Sequence, residues 1–147
     1  MRREREGLLL NLGCGLNVRH GINCDIRPLP GVDVVCDLRV PFPFRAEAFD
    51  EVLALDILEH LPDLIQTLHE IWRVSKPGAL LTVRGPYWGP QVAADVTHLR
   101  GFVEGSFDHF DPATPMGQKY SYYTPFKWQV IGEHREGSNI VFELEKR

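Results

Sequence analysis

Two glycines and two aspartates, each placed where an apolar run ends, have the types and spacing that suggest chemistry. Gly13 and Gly15 flank Cys14 in LLLNLGCGLN (residues 8–17), where an apolar run gives way to a turn with few side chains. Glycine at such a turn lets a ligand approach the backbone closely, although an ordinary tight turn uses the same residues. Asp25 closes to the end of INCDI, and Asp37 directly follows VDVVC. An ionised carboxylate only accepts hydrogen bonds, so Asp25 suits the two hydroxyls of a ribose and Asp37 an exocyclic amine on a base. Either aspartate alone is equally well a solvated loop residue or a cap. The ordered set is the specific signal, and it describes a groove for a nucleoside-bearing cofactor.

A dinucleotide fits less well. The third glycine of that fingerprint would fall at position 18, which is Val18, and its ribose acid belongs about 20 residues beyond the glycines. Asp25 comes only ten residues after Gly15.

Such a groove needs parallel strands that end side by side. Residues 8–12, 22–26, 32–36 and 51–55 are short, nearly continuous apolar runs, as strands covered on both faces are. Between Asp63 and Ser75 the period changes to 3.6: Leu64, Ile65, Leu68, Ile71 and Trp72 form one stripe, with Gln66, Glu70 and Arg73 opposite. Asp63 caps this helix, KPG at 76–78 stops it, and ALLTVRG at 79–85 resumes as a strand. From Tyr87 to Trp128 the chain is a long aromatic-rich excursion with one short helix expected near 100–107. Ten of the fifteen aromatics lie there, which argues against disorder. The end reads as a hairpin around 136–139.

At 147 residues the chain is one domain, 1–147, with a cofactor half over about 8–86 and a substrate side over 87–147. A net charge of -4 disfavours nucleic acid and anionic membranes as partners. No stretch approaches the ~20 apolar residues of a membrane helix. MRREREGLLLNLG carries two glutamates and a short apolar core, unlike a secretory signal, so a cytoplasmic location is expected. Cys14, Cys24 and Cys36 form no Cys-x-x-Cys pair; three free, strand-associated apolar fillers and no thiolate zinc site are expected.

LLLNLGCGLN, INCDI, VVCDLRVPFPFRAEAFDEVLALDILEHLPD and LHEIWRVSKPGALLTVRGP resemble, in order, the motifs of class I S-adenosylmethionine-dependent methyltransferases. The likeness is to the small type 11-like group in which Phe-Asp precedes the fourth strand and Glu-His follows it. The resemblance implies an α/β fold: a Rossmann-like, doubly wound, mostly parallel sheet with an antiparallel C-terminal hairpin, as a three-layer sandwich. It implies S-adenosyl-L-methionine as cofactor, with Gly13, Cys14, Gly15 and Asn17 at its methionine portion. Asp25 and Ile26 would meet the ribose, Asp37 and Leu38 the adenine. Leu55, Asp56 and His60 would lie near the sulfonium, with Glu59 beside them, and Asp50 would be structural. The family places a full helix between the glycine turn and the second strand, where this chain has only LNVRHG, so a reduced helix is expected.

Methyl transfer is an in-line displacement in which the protein mainly positions the acceptor and excludes water. An oxygen acceptor of high pKa also needs a general base. His98 and His60 are the catalytic candidates, although each histidine alone is equally a structural residue. Tyr87, Trp88 and Asp95 are expected in the substrate pocket, and the remaining aromatics as the core of the excursion. Asp95, His98 and His109 lack a recognised ligand spacing, and no metal is expected. The reading is methyl transfer to an acceptor, a small molecule in preference to a protein. The alternative is a non-catalytic S-adenosylmethionine-binding module acting with a partner protein; a homodimer is a further expectation.

Overall fold

Seven strands form one sheet in the order β3-β2-β1-β4-β5-β7-β6 in the computed structural model, which describes residues 7–147. The strands are β1 (Leu9–Leu12), β2 (Ile22–Asp25), β3 (Val34–Val35), β4 (Phe49–Leu55), β5 (Ser75–Pro86), β6 (Trp128–Glu136) and β7 (Asn139–Lys146). β1 to β5 run parallel to their neighbours, and β7 lies antiparallel between β5 and β6. Leu12 stands opposite both Cys24 and Ala54, so the ends of β1, β2 and β4 are level at one edge. The chain order reverses between β1 and β4, the place where open α/β sheets take their ligands.

The helices are α1 (Leu64–Val74), α2 (Pro90–Ala93) and α3 (Pro115–Lys119). Asp63 caps α1 as expected, its side chain accepting from the Gln66 N–H at 3.0 Å. Leu68, Ile71 and Val74 face Leu10, Leu12, Val52, Leu81 and Val83 in a single core that also takes Phe102, Phe107 and Phe142. β6 and β7 turn through Gly137, whose φ of 59° suits glycine in a two-residue hairpin.

Several expectations are corrected. No helix, not even a reduced one, follows β1; residues 13–21 form a turn and extended chain. Asn11 and Asn23 pin that segment to the sheet: Asn11 Nδ2 donates to Asn17 O (2.9 Å), and Asn23 exchanges bonds with the Arg19 backbone (2.8 Å each way). Side-chain amides thus replace a helix's apolar stripe. Among the described residues α1 and the excursion cover one sheet face only, so the sandwich has two layers instead of three. The other face keeps a groove of about 450 Å³ lined by Leu9, Leu53 and Leu55 with Arg19, His20, Glu51 and Thr82.

The third strand is two residues long instead of five, because Asp33 Oδ2 occupies the Asn23 N–H (2.8 Å) and ends the ladder. KPG does not separate helix from strand; it bulges within β5, where the register with β4 slips and Gly78 adopts φ 75°. The helix expected near 100–107 is absent, since Phe102 forms a parallel bridge with Tyr87 through Phe102 N–H to Pro86 O and Trp88 N–H to Phe102 O (2.9 Å each). Cys24 and Cys36 are joined as a disulfide, not free fillers, leaving Cys14 as the free cysteine among the described residues.

Glu70 is 4% exposed rather than on the solvent face of α1. Its carboxylate accepts from Phe42 N (2.7 Å) and from Arg73 Nε (2.8 Å), while Arg73 also donates to Phe42 O and Phe44 O. This clamps the β3–β4 connection, which carries Asp37 and Leu38, onto the helix. The Arg73 guanidinium holds the Glu70 carboxyl below its ordinary 4.5. Glu70→Ala is expected to cost about 2–3 kcal/mol in urea unfolding at pH 7, the penalty for an orphaned buried charge and N–H. A carboxyl depressed in the fold contributes fully above its unfolded value and loses that contribution as pH falls through the folded one. The wild-type and Glu70→Ala curves should therefore converge in acid.

Candidate functional site

The level strand ends enclose a cleft of about 220 Å³ lined by Gly13, Asp25, Ile26, Cys36, Asp37, Leu38, Arg39, Ile57, His60 and Leu61. Each wall comes from a chain reversal. Gly13 and Gly15 follow β1 with φ of 60° and 53°, a conformation that disfavours any side chain. A Cβ on Gly13 would sit 2.7 Å from the Ile57 side chain, whereas one on Gly15 would meet nothing closer than 3.8 Å. Glycine at 13 is thus required twice, by conformation and by space.

Asp25 ties the first two reversals together. Its Oδ2 accepts from Gly15 N at 2.8 Å and its Oδ1 from Arg27 N at 2.9 Å. Those bonds outweigh its burial and lower its carboxyl below the ordinary range. Arg27 Nε adds a third, longer bond to Oδ1 (3.3 Å), and of the roughly four acceptor lobes of a carboxylate one remains for a hydroxyl donor. Asp37 is chelated by Arg39, which donates through Nε and Nη2 at 2.9 and 2.8 Å and takes its carboxyl to about 2.

The structure brings together six of the residues singled out in the sequence: Gly13, Asp25, Ile26, Asp37, Leu38 and His60. Ile57, Leu61 and Arg39 join them without having been expected. Ile57 is there because Asp56 takes φ 58° and turns the chain. The Asp56 carboxylate leaves the cleft for Arg84, whose Nε lies 3.1 Å from both oxygens. Cys14, Gly15, Asn17 and Leu55 also stand outside the lining. Asn17 is spent on the turn, and Leu55 faces the groove on the opposite sheet face. Asp50 accepts from Leu8 N and Lys76, a structural place at the other end of β4.

Beside the cleft, the 3-10 turn 58–60 carries Glu59 and His60, and the excursion brings His98 to them. Glu59 is 2% exposed, and its Oε2 has no hydrogen-bond partner. Burial, with the Asp56 charge adding, pushes its carboxyl up to about 7. The His60 and His98 rings are 4.9 Å apart. Thr97 Oγ1 donates to Asp95 Oδ1 (2.6 Å) and so accepts from His60 Nδ1 (2.9 Å). His98 Nδ1 donates to Val92 O (3.1 Å). In the neutral form of each imidazole the proton sits on Nδ1 and Nε2 is the acceptor. Arg100 locks the two segments by donating to Leu58 O and Leu61 O (2.6 Å each) and Pro62 O, while Leu99 N donates to Glu59 O (2.8 Å).

The excursion does not deliver Tyr87 and Trp88 to the cleft. Tyr87 donates to Glu104 (2.7 Å) under the Arg135 guanidinium, and Trp88 is 66% exposed. Asp95 serves Thr97 and stands 3.6 Å from His98 Nε2. His109 stacks on Tyr123, away from His98. Phe102, Phe107 and Phe110 are core, as expected of most of these aromatics.

Residues 22–83 match the family model described as "Methyltransferase domain". No protein of curated function matches the sequence significantly. Solved structures with the same fold include a S-adenosylmethionine-dependent methyltransferase of Thermotoga maritima, described as a possible histamine N-methyltransferase. It is 18% identical over 97% of this chain and 83% of that one, with a TM-score of 0.64. The 1,6-didemethyltoxoflavin-N1-methyltransferase of Burkholderia thailandensis, bound to 1,6-didemethyltoxoflavin and S-adenosylhomocysteine, is 15% identical over 97% and 72%, with a TM-score of 0.68. A chain from the complex of the Haloferax volcanii Trm112 methyltransferase activator with a methyltransferase is 14% identical over 99% and 84%, with a TM-score of 0.67. The fold is that of the class I S-adenosylmethionine-dependent methyltransferases, and residues 22–83 resemble a methyltransferase domain. S-adenosylmethionine is the cofactor this indicates.

Gly13→Ala is expected to lower unfolding stability by more than Gly15→Ala. Both incur the roughly 1–2 kcal/mol of a left-handed non-glycine residue, and only the first also collides with Ile57. Equal losses in urea titrations of the two variants would refute the close approach of Ile57.

Proposed function

We propose that the chain is a methyltransferase that takes its methyl group from S-adenosylmethionine and delivers it to a small-molecule acceptor at the carboxyl edge of the sheet. The observation that carries the reading is the cleft itself, where Gly13, Asp25, Asp37 and His60, from four separate chain reversals, line one space. Its 220 Å³ is below the roughly 300 Å³ at which whole-ligand pockets begin. That size suits an adenosine end, with the methionine end lying along the glycine turn at Gly13–Asn17.

In this reading Asp25 accepts from the ribose hydroxyls while remaining bonded to Gly15 and Arg27. Ile26 and Leu38 pack the sugar and base, and Asp37 receives the base amine once Arg39 yields part of its chelate. His60 stands at the sulfonium end, with Leu55 and Asp56 supporting it from behind through β4 and Arg84. The cofactor supplies an electrophilic methyl carbon and a good leaving group. The protein holds the acceptor in line and keeps water out. The bare Nε2 atoms of His60 and His98 are the groups placed to take a proton from an acceptor hydroxyl. Asp95 fixes His60 through Thr97.

A second reading, a S-adenosylmethionine-binding module that acts with a partner chain, has one observation in its favour: the open groove with Leu9, Leu53 and Leu55 on the uncovered sheet face. A second copy covering that face would make a homodimer. Light scattering on the eluting protein distinguishes these states, since a monomer scatters at 16.8 kDa and a dimer at twice that mass. The dimer expectation fails if the mass stays at the single-chain value at micromolar concentration.

S-adenosylmethionine and S-adenosylhomocysteine should each raise the melting temperature, and NAD should not. At a hundred times the dissociation constant the added stability is about 2.7 kcal/mol. Asp25→Ala, checked for its fold by circular dichroism, should lose the shift. An unchanged shift in this variant removes the ribose role, and no shift in the wild type removes the cofactor reading.

A further inference from the structure

We propose that Glu59, His60 and His98 form a binding site for one divalent transition-metal ion, with zinc the natural probe. One donor atom from each lies within 4.8 Å of those of the other two. No spacing in the sequence announces this grouping, because Glu59 and His60 are adjacent and His98 lies far along the excursion.

Four observations converge on an ion. The Glu59 carboxylate is 2% exposed; its Oε1 faces His60 Nε2, and its Oε2, on the Gly85 side, has no hydrogen-bond partner. A buried unpaired carboxylate costs several kcal/mol unless a cation or donor compensates it. Each histidine already spends its Nδ1 proton on an outer acceptor, His60 on Thr97 and His98 on Val92 O. That arrangement, in which the second ring nitrogen is satisfied from outside, is how metal-ligating imidazoles are oriented. The His60 support continues from Thr97 to the Asp95 carboxylate.

The geometry is near closure. Glu59 Oε1 and His60 Nε2 are 3.7 Å apart. An ion with bonds of about 2.1 Å holds tetrahedral donors about 3.4 Å from one another. His98 completes the set by a small side-chain rotation, and Asp95 Oδ2, 3.6 Å from His98 Nε2, adds negative charge at the rim. Arg100 and Leu99 fix the two ligand-bearing segments to each other, so the pocket is assembled before any ion arrives.

Two imidazoles and one carboxylate suit zinc, iron(II) or manganese(II) better than the all-oxygen sites of calcium and magnesium. Three protein ligands leave a coordination position open. A bound ion would occupy the Nε2 lone pairs that serve as bases in the metal-free chain; because His60 also lines the cleft, the ion's open position would face an approaching acceptor and favour one bearing a hydroxyl or other oxygen. The site's existence does not depend on the methyltransferase reading, since metal binding is measured without cofactor.

The test uses the full chain, stripped with chelator and titrated calorimetrically with zinc chloride. One equivalent should bind with a dissociation constant of micromolar or tighter. His98→Ala and Glu59→Gln, each verified as folded by circular dichroism, should weaken binding at least tenfold, and His134→Ala, on the exposed hairpin, should not. X-ray absorption at the zinc edge should show nitrogen and oxygen neighbours only. The proposal is overturned if the folded wild type binds no zinc, if His98→Ala and Glu59→Gln both retain wild-type affinity, or if sulfur neighbours reveal Cys14 as the ligand. Absence of zinc binding in the wild type, with an intact S-adenosylmethionine shift, would overturn the metal site and leave the cofactor cleft standing.

Discussion

Every parallel strand pair obliges the chain to travel back to the edge where it began, and this chain does so through a full helix only once, between β4 and β5. The other returns, β1 to β2, β2 to β3 and β3 to β4, are made by turns and extended segments. That single constraint shapes the molecule. One sheet face receives α1 and the aromatic excursion and holds the core. The opposite face is left to a short loop pinned by Asn11 and Asn23. The sheet survives this economy because its register is held at both ends. Asp50 grips Leu8 N and Lys76 at one end, and Asp25 bridges Gly15 and Arg27 at the other.

The cleft follows from the same geometry. Level strand ends bring backbone reversals together, and each reversal exposes one or two groups with little of its own to pack against. Left-handed backbone at Gly13 makes space for Ile57, and left-handed backbone at Asp56 supplies Ile57 to fill it. The two turns are complementary halves of one wall. Neither is explained without the other. The carboxylates nearby differ because their surroundings differ. Asp25 and Asp37 are drawn down by guanidinium and amide donors, whereas Glu59, in the 58–60 turn, is driven up by burial.

The cleft edge of the sheet was largely legible in the sequence because strand order and chain reversals follow from local pattern. Gly13, Asp25 and Asp37 each follow an apolar run, so their convergence needs only a parallel sheet. Ile57 and Arg39 were not legible: a left-handed Asp56 and an i,i+2 aspartate–arginine chelate leave no periodic trace. The missing helix after β1 showed in the six residues of LNVRHG, but the asparagine ladder that replaces it did not, since Asn11 and Asn23 sit inside apolar runs. The excursion was least legible. Its chain is held by single bridges, such as Tyr87 with Phe102, instead of repeating bonds, and no periodicity announces a bridge. The expectation of Tyr87 in the pocket failed on that point, because Glu104 and Arg135 compete for its ring and hydroxyl.

Arg100 gives the molecule a mechanical asymmetry. By holding three carbonyls of the 58–62 turn, it makes that turn and the histidine-bearing loop one stiff body on the α1 side of the cleft. The opposite lip, by β3, has a strand of two residues and solvent-facing Ile26, Val35 and Val40. That lip is tied at its root by the Cys24–Cys36 disulfide, so a bulky solute meets apolar side chains on one side of the mouth and a hydrogen-bonded turn on the other.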